Sequence, residues 1–133
     1  MRILLTLSLV ALLAQTSATG TESPHRSGPH GLEGWTINYP IPNYDTMPRT
    51  LVIARNGRVL HRIDGRPLIF TWMFQENGAH VAYSTGPLHS VETCILVDTK
   101  SGKEVDDYNC FPEPLASTAP TWVKLLKQRE FGH

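Results

Sequence analysis

The side chains best suited to chemistry in this chain are two cysteines, Cys94 and Cys110, and six histidines. In an exported protein the cysteine pair predicts a structural disulfide, with free thiols or a reactive or metal-bound pair as the alternatives. No C-x-x-C motif is present and no histidine lies close to either cysteine in sequence, so zinc coordination is weakly indicated. On a regular hairpin Cys94 lies opposite Asp107, which turns Cys110 to the other face. A bridge then requires the chain to bend after Tyr108.

Three histidines fall in segments that could form an ordered site: His61, His80 and His89. His61 shares a predicted strand face with apolar neighbours, which favours a partly buried, hydrogen-bonded structural role over a ligand role. His80 shares its face with Ala82 and Ser84, which predicts a solvent-facing position. His89 follows a Gly-Pro-Leu loop and is the most available to a partner, although it has no second ligand nearby.

Other catalytic patterns are missing from the sequence. There is no G-x-S-x-G elbow, no phosphate-cradling glycine loop and no H-E-x-x-H motif. Phe70, Trp72 and Phe74 alternate along one predicted strand, and this spacing is more typical of a core than of a stacking platform. We therefore predict no catalytic residue, no metal ligand and no cofactor.

Turn residues and hydrophobic alternation predict a mainly β fold, a small antiparallel meander of six to seven short strands with a short C-terminal helix. Asn56-Gly57 and Asn77-Gly78 are dipeptides that favour tight hairpin turns. The expected strands are residues 35–39, 50–54, 58–63, 68–74, 79–84, 91–98 and 103–108. After the first of these, three closely spaced prolines predict an irregular loop.

Both ends of the chain carry distinct signals. Residues 1–18 combine Arg2, an apolar run and small residues before a cleavage position, which predicts a signal peptide and export to a periplasm or the extracellular space. The apolar run is too short to span a bilayer, so we expect no stable membrane insertion. Residues 19–34 are rich in Thr, Ser, Gly and Pro and predict a disordered tail. Residues 35–133 then form a single β-rich domain.

The expected helix covers about residues 119–129. Ser117 or Thr118 can cap it, and Pro120 fits its first turn. One stripe packs on the sheet: Trp122, Leu125 and Leu126. The basic side chains lie outside that stripe and towards the end of the helix: Lys124, Lys127 and Arg129.

The net charge of the chain is close to zero, so no overall positive potential would attract nucleic acid. Twelve Lys and Arg match twelve Asp and Glu, and loss of Arg2 with the signal peptide leaves a slight negative excess. Arginines concentrate between residues 49 and 66 and acidic residues between 92 and 113, a segregation that favours cross-strand pairs on solvated faces.

One stretch resembles a known repeat. Residues 74–84, F-Q-E-N-G-A-H-V-A-Y-S, followed by residues 94–105, C-I-L-V-D-T-K-S-G-K-E-V, are similar to a blade of the TolB-type β-propeller family, with a partial second copy at 51–60. The resemblance covers about forty residues and implies a blade-like sheet and a tendency to bind other proteins. It transfers no functional residues.

These observations predict a small exported, non-catalytic β-sheet domain that binds a protein partner or its own copies, because unpaired strand edges allow either. The expected contact surface combines one loop and its neighbours with two arginines of a strand: Tyr83, Thr85, Leu88, His89, Arg58 and Arg62. The alternative is a small secreted hydrolase or metal-dependent enzyme that uses His61, His80 or His89.

Overall fold

The computed structural model describes residues 20–111 and 114–131. The predicted signal peptide, residues 1–18, lies outside the described residues. The described residues form nine strands and one α-helix: β1 (Thr21–Glu22), β2 (Arg26–Ser27), β3 (Leu32–Ile41), β4 (Tyr44–Arg55), β5 (Arg58–Asp64), β6 (Leu68–Gln75), β7 (His80–Gly86), β8 (Thr93–Asp98), β9 (Glu104–Asn109) and α1 (Thr121–Phe131). The fold is mainly β, as predicted.

The strands divide into two antiparallel sheets. The first sheet has the order β1-β3-β4-β5, with β2 also paired to β3, and the second has the order β6-β7-β8-β9. Asn56 and Gly57 both adopt positive φ between β4 and β5, which is the conformation that the Asn-Gly dipeptide favours in a tight hairpin. The Arg66–Pro67 peptide is cis and lies between the last strand of the first sheet and the first strand of the second.

Residues 20–34 differ from the expected disordered tail. β1 and β2 both pair with β3, and the Thr36 backbone N–H donates to Ser23 Oγ at 2.8 Å. The His25 ring stacks on Trp35 with a centroid distance of 3.7 Å. These contacts are backbone pairing and one stacked ring, so the segment is ordered without the apolar periodicity on which the prediction relied.

The proline-rich segment after Tyr39 is a hairpin and not the predicted loop. β3 and β4 pair from Leu32↔Arg55 to Ile41↔Tyr44, with two irregularities in register. Ile37 pairs with Thr50 while Asn38 pairs with Pro48, so Arg49 is an extra, bulged residue. The bulge lies directly next to Pro48, which cannot donate a hydrogen bond to the ladder.

The molecule has three layers: the first sheet, the second sheet and the helix. The cluster between the sheets contains Leu32, Leu51, Ile53, Ile69, Trp72, Val81, Tyr83, Ile95 and Val97. A second cluster lies between the opposite face of the second sheet and α1, and contains Ala82, Cys94, Leu96, Cys110, Val123 and Leu126. The second sheet is therefore covered on both faces.

This covering corrects the prediction for the strand face that carries His80. Ala82 and Ser84 were expected to face solvent with it, but both are fully buried. His80 is partly buried and its Nδ1 lies 2.9 Å from Glu76 Oε2. Because the helix packs on this face, its small side chains are needed for close approach.

The helix spans Thr121–Phe131, close to the expected range, but its buried side chains differ from the predicted stripe. Val123 and Leu126 are fully buried, Leu125 is 42% exposed and Lys127 is only 5% exposed. Within the described part of the chain, no helix is long and apolar enough to cross a membrane.

Cys94 and Cys110 form a disulfide with Cα atoms 5.8 Å apart. The Asp98 backbone N–H donates to the Lys103 carbonyl at 2.9 Å at the end of this hairpin. Val97 pairs with Glu104 and Leu96 with Asp106, which leaves Val105 as a bulged residue. Cys94 therefore lies opposite Tyr108 and not Asp107, and Cys110, two residues further, shares its face. The bulge and not a bend after Tyr108 makes the bridge compatible with the sheet.

Candidate functional site

Two residues of the expected contact surface are buried. Tyr83 is 2% exposed in the core between the sheets, and burial is the main cause that raises its pKa to about 12. Thr85 is 1% exposed, and its hydroxyl donates to the Leu68 carbonyl at 2.7 Å and accepts the Arg66 backbone N–H at 2.6 Å. Neither side chain can meet a partner directly. Thr85 instead fixes the turn between the two sheets.

The loop after Thr85 builds one wall of an apolar cleft. Gly86 is required at its base, because a Cβ at this position would lie 2.2 Å from the Val91 carbonyl oxygen. The two ends of the loop thus approach closely, and residues 87–90 protrude. Pro87 and Leu88 from this loop line a cavity of about 310 Å³, together with Pro40, Ile41, Pro42, Arg49, Pro67 and Leu68. We call these eight residues the proline cleft.

Half of the residues that line the proline cleft are prolines. Four of its eight lining residues are prolines, from the β3–β4 hairpin, the turn between the sheets and the loop after β7. Proline loses almost no side-chain entropy on burial, and its φ is already fixed. The prolines therefore lose little conformational entropy when a ligand fills the cleft, which favours binding.

Arg49 is the charged residue among those that line the proline cleft. Arg49 is the bulged residue of β4, and bulges redirect a side chain relative to the regular alternation of a strand. Among the described residues its guanidinium has no carboxylate within ion-pair distance, and it is exposed. Arg49 is thus available to an acidic group of a ligand.

A second cavity of about 450 Å³ continues from the first. Arg49 and Pro67 line both, and the remaining lining residues of the second are polar or small: Tyr39, Thr50, Asp64 and Gly65. We call these four residues the polar recess. Asp64 Oδ1 accepts the Thr50 hydroxyl at 3.0 Å, which fixes the orientation of the carboxylate. Arg49 therefore lies between an apolar compartment and one that offers a hydrogen-bond acceptor.

The other expected contact residues lie elsewhere or only border the cleft. Arg58 and Arg62 are exposed on β5 and do not line it. His89 is exposed and adopts a φ of 55° directly after Leu88. Of the six predicted contact residues, Leu88 alone lines the proline cleft.

The three histidines of the enzyme alternative are not brought together. His61 Nε2 donates to the Thr99 carbonyl at 2.7 Å, in agreement with its predicted structural role, whereas His80 faces Glu76 and His89 lies in the loop. Within the described segments, the group of potential metal ligands is Glu92 with the two cysteines. Both sulfurs are in the disulfide, and the Glu92 carboxylate contacts Lys127 Nζ at 3.0 Å.

Sequence reasoning missed Arg49 and the four prolines as a site. The prolines are separated by up to dozens of residues, and they meet because the hairpin, the turn and the loop end at the same place. The sequence signal for this site is the density of proline around residues 40–48, from which the sequence analysis predicts only an irregular loop. Comparisons with protein-family models, with curated proteins and with solved structures find no match to this chain.

Proposed function

We propose that this protein is an exported, non-catalytic interaction module that binds an extended segment of a partner protein in the proline cleft. The segment carries an apolar side chain for the cleft and, next to it, an acidic group for Arg49. The observation that carries the proposal is the exposed guanidinium of Arg49, which pairs with no described carboxylate, in the rim of an apolar cavity. The disulfide supports export, since such bonds persist in oxidising compartments.

The chemistry of the cleft favours a peptide over a compact small molecule. Arg49 links the apolar cavity to the polar recess. Among the described residues Asp64 accepts the Thr50 hydroxyl through Oδ1, which leaves Oδ2 to accept a backbone N–H or an ammonium group of the ligand. An extended segment presents alternating side chains and backbone donors along its length, so it can use both compartments at once.

The edges of the sheets are less suited to a partner strand. β5 and β9 each contain a bulge, at Leu60 and Val105, and carry the charged residues Arg58, Arg62, Glu104, Asp106 and Asp107. Bulges and charges on edge strands are common protections against strand addition. Self-association of the protein through these edge strands is therefore less favoured than peptide binding in the proline cleft.

The proposal predicts that the protein selects peptides of one kind from an arrayed peptide library. Bound sequences should combine Leu, Ile or Phe with a neighbouring Asp or Glu. Arg49→Gln should weaken binding of a selected peptide at least about tenfold, because a charge-assisted hydrogen bond is lost. Affinities would be measured by fluorescence anisotropy.

Arg55→Gln is the matched control, since Arg55 is also an exposed arginine of β4 and lies outside the cleft. It should leave the affinity unchanged, and Leu88→Asp should abolish binding. Equal affinities of the Arg49 and Arg55 variants would refute the proposed site. Stoichiometric uptake of a metal ion that depends on His61, His80 or His89 would instead support the enzyme alternative.

A further inference from the structure

A cavity remote from the proline cleft contains two arginines and no acidic residue. Its volume is about 230 Å³, and it is lined by Arg26, Ser27, Gly28, Pro29, Trp72, Met73, Phe74 and Arg129. It lies where β2, β6 and the last turn of α1 meet, and it shares no residue with the proline cleft.

Arg26 makes two contacts with Trp72. Its guanidinium lies 4.7 Å from the centroid of the Trp72 ring, and Nη1 donates to the Trp72 carbonyl at 3.2 Å. Trp72 itself is 3% exposed and forms an edge-to-face contact with Phe74. An arginine has five N–H donors, so most of those of Arg26 remain available to a ligand.

The second arginine increases the positive potential of the same cavity. Partial burial lowers the pKa of Arg26, and the charge of Arg129 lowers it further, although arginine stays protonated at neutral pH. In the part of the chain that the structure describes, neither guanidinium contacts a carboxylate. The nearby carboxylate of Glu33, which lies opposite Ser27 on β3, contacts a different residue: Glu33 Oε2 lies 3.3 Å from His25 Nδ1. No carboxylate in contact with either arginine therefore relieves their mutual repulsion among the described residues.

We propose that Arg26 and Arg129 form a binding site for a phosphate group. Two guanidinium groups around one small cavity match the several oxygens of such an anion, and the planar fork of arginine suits phosphate geometry. The cavity is smaller than the range of about 300–1,000 Å³ typical of organic-ligand pockets, so it fits the anionic group and not a whole metabolite.

A second cavity makes room for the remainder of a larger ligand. Its volume is about 240 Å³, it lies along the same edge of β6, and it also has Arg26 and Trp72 in its lining. Phe70, the bulged residue of β6, lines this second cavity and is partly exposed. A phosphate held by Arg26 could therefore be free phosphate or the phosphoryl group of a ligand that extends past Arg26 towards Phe70.

The test is calorimetric titration of the purified protein with inorganic phosphate and, separately, with phenyl phosphate, at matched ionic strength in sodium chloride. We expect saturable binding that Arg26→Gln and Arg129→Gln each weaken at least about tenfold. Arg62→Gln removes the same charge from exposed β5, outside both cavities, and should have no effect. Equal affinity with both anions assigns the site to free phosphate. Tighter binding of phenyl phosphate that Phe70→Ala removes assigns it to a phosphoryl group on a larger ligand.

Absence of saturable binding to the natural protein would overturn the proposal, as would equal affinities in the Arg129 and Arg62 variants. Arg129 is exposed in the last helical turn, so its replacement should leave the fold intact even if loss of Arg26 does not. Arg26→Lys is the further control, because it keeps the charge and loses the planar fork. It should retain part of the affinity if the site is specific for phosphate geometry.

Discussion

Glu92 and Lys127 form a buried ion pair between the loop after β7 and α1. Lys127 Nζ lies 3.0 Å from Glu92 Oε1 and 2.8 Å from Glu130 Oε2, and the Lys127 side chain is 6% exposed. Burial raises the pKa of Glu130 despite this contact. Glu92 ends the loop that carries Leu88, so the pair anchors one wall of the proline cleft to the helix. The sequence placed Lys127 on the solvent side of the helix, because a helical stripe gives no information on a partner in a distant loop.

Replacement of Lys127 by Met should lower the free energy of unfolding by about 3 kcal/mol, since it leaves the Glu92 carboxylate buried without a cation. The double variant Glu92→Leu/Lys127→Met should recover a large part of that loss, because it removes both charges. Urea unfolding of the three proteins measures the difference. Equal loss in the single and double variants would mean that packing and not charge determines the effect.

His25 is expected to titrate above the usual range for histidine. The hydrogen bond that the His25 ring donates to the Glu22 carboxylate is the main cause that raises the pKa of His25, and Glu33 adds to it. Because the folded-state pKa is raised, the contribution of the charged ring to stability is present below about pH 6.5 and is lost as the pH rises through the folded-state pKa. Glu22→Gln should move the pKa of His25 down, as measured by NMR titration of the ring. An unchanged pKa would show that Glu22 does not hold the proton there.

The register of β9 against β8 is set by a β-bulge at Val105. Val105 is bulged out of the ladder, so Asp106 pairs with Leu96 and Cys110 shares the face of the sheet that α1 covers. The disulfide thereby connects β8 to the chain that follows β9, at the base of the helix layer. Alternation along the sequence predicts strand faces well only between bulges, which explains why the direct partner of Cys94 was predicted one residue away from its true position.

The disulfide should contribute about 3 kcal/mol to the free energy of unfolding, the value typical of a loop of this length. Cys94→Ala/Cys110→Ala tests this by thermal unfolding under non-reducing conditions. The reducing agent is the matched control: it should destabilise the natural protein and leave the double variant unchanged. If the natural protein is equally stable with and without reductant, the bond adds little.

At the scale of the whole molecule, local sequence signals account for the mainly β class, for the strands after Thr50 and for the helix. They do not predict how the two sheets and the helix pack into three layers. Whether a strand face is solvated depends on α1 and on the second sheet, both distant in sequence, so Ala82 and Ser84 were assigned to solvent. The proline cleft and the cavity lined by Arg26 and Arg129 were not predicted for the same reason, because each joins three separate segments. The similarity of residues 74–105 to a propeller blade stays a prediction.

The bulge at Val105 also bears on how the length of this chain can vary. Loss of residue 105 would leave Val97 opposite residue 104 and Leu96 opposite residue 106, so every later residue would keep its face. A one-residue insertion or deletion between residues 106 and 109 would instead turn Cys110 away from Cys94 and break the bridge. Related chains should therefore differ in length at the bulge, and keep a constant count of residues from there to the second cysteine.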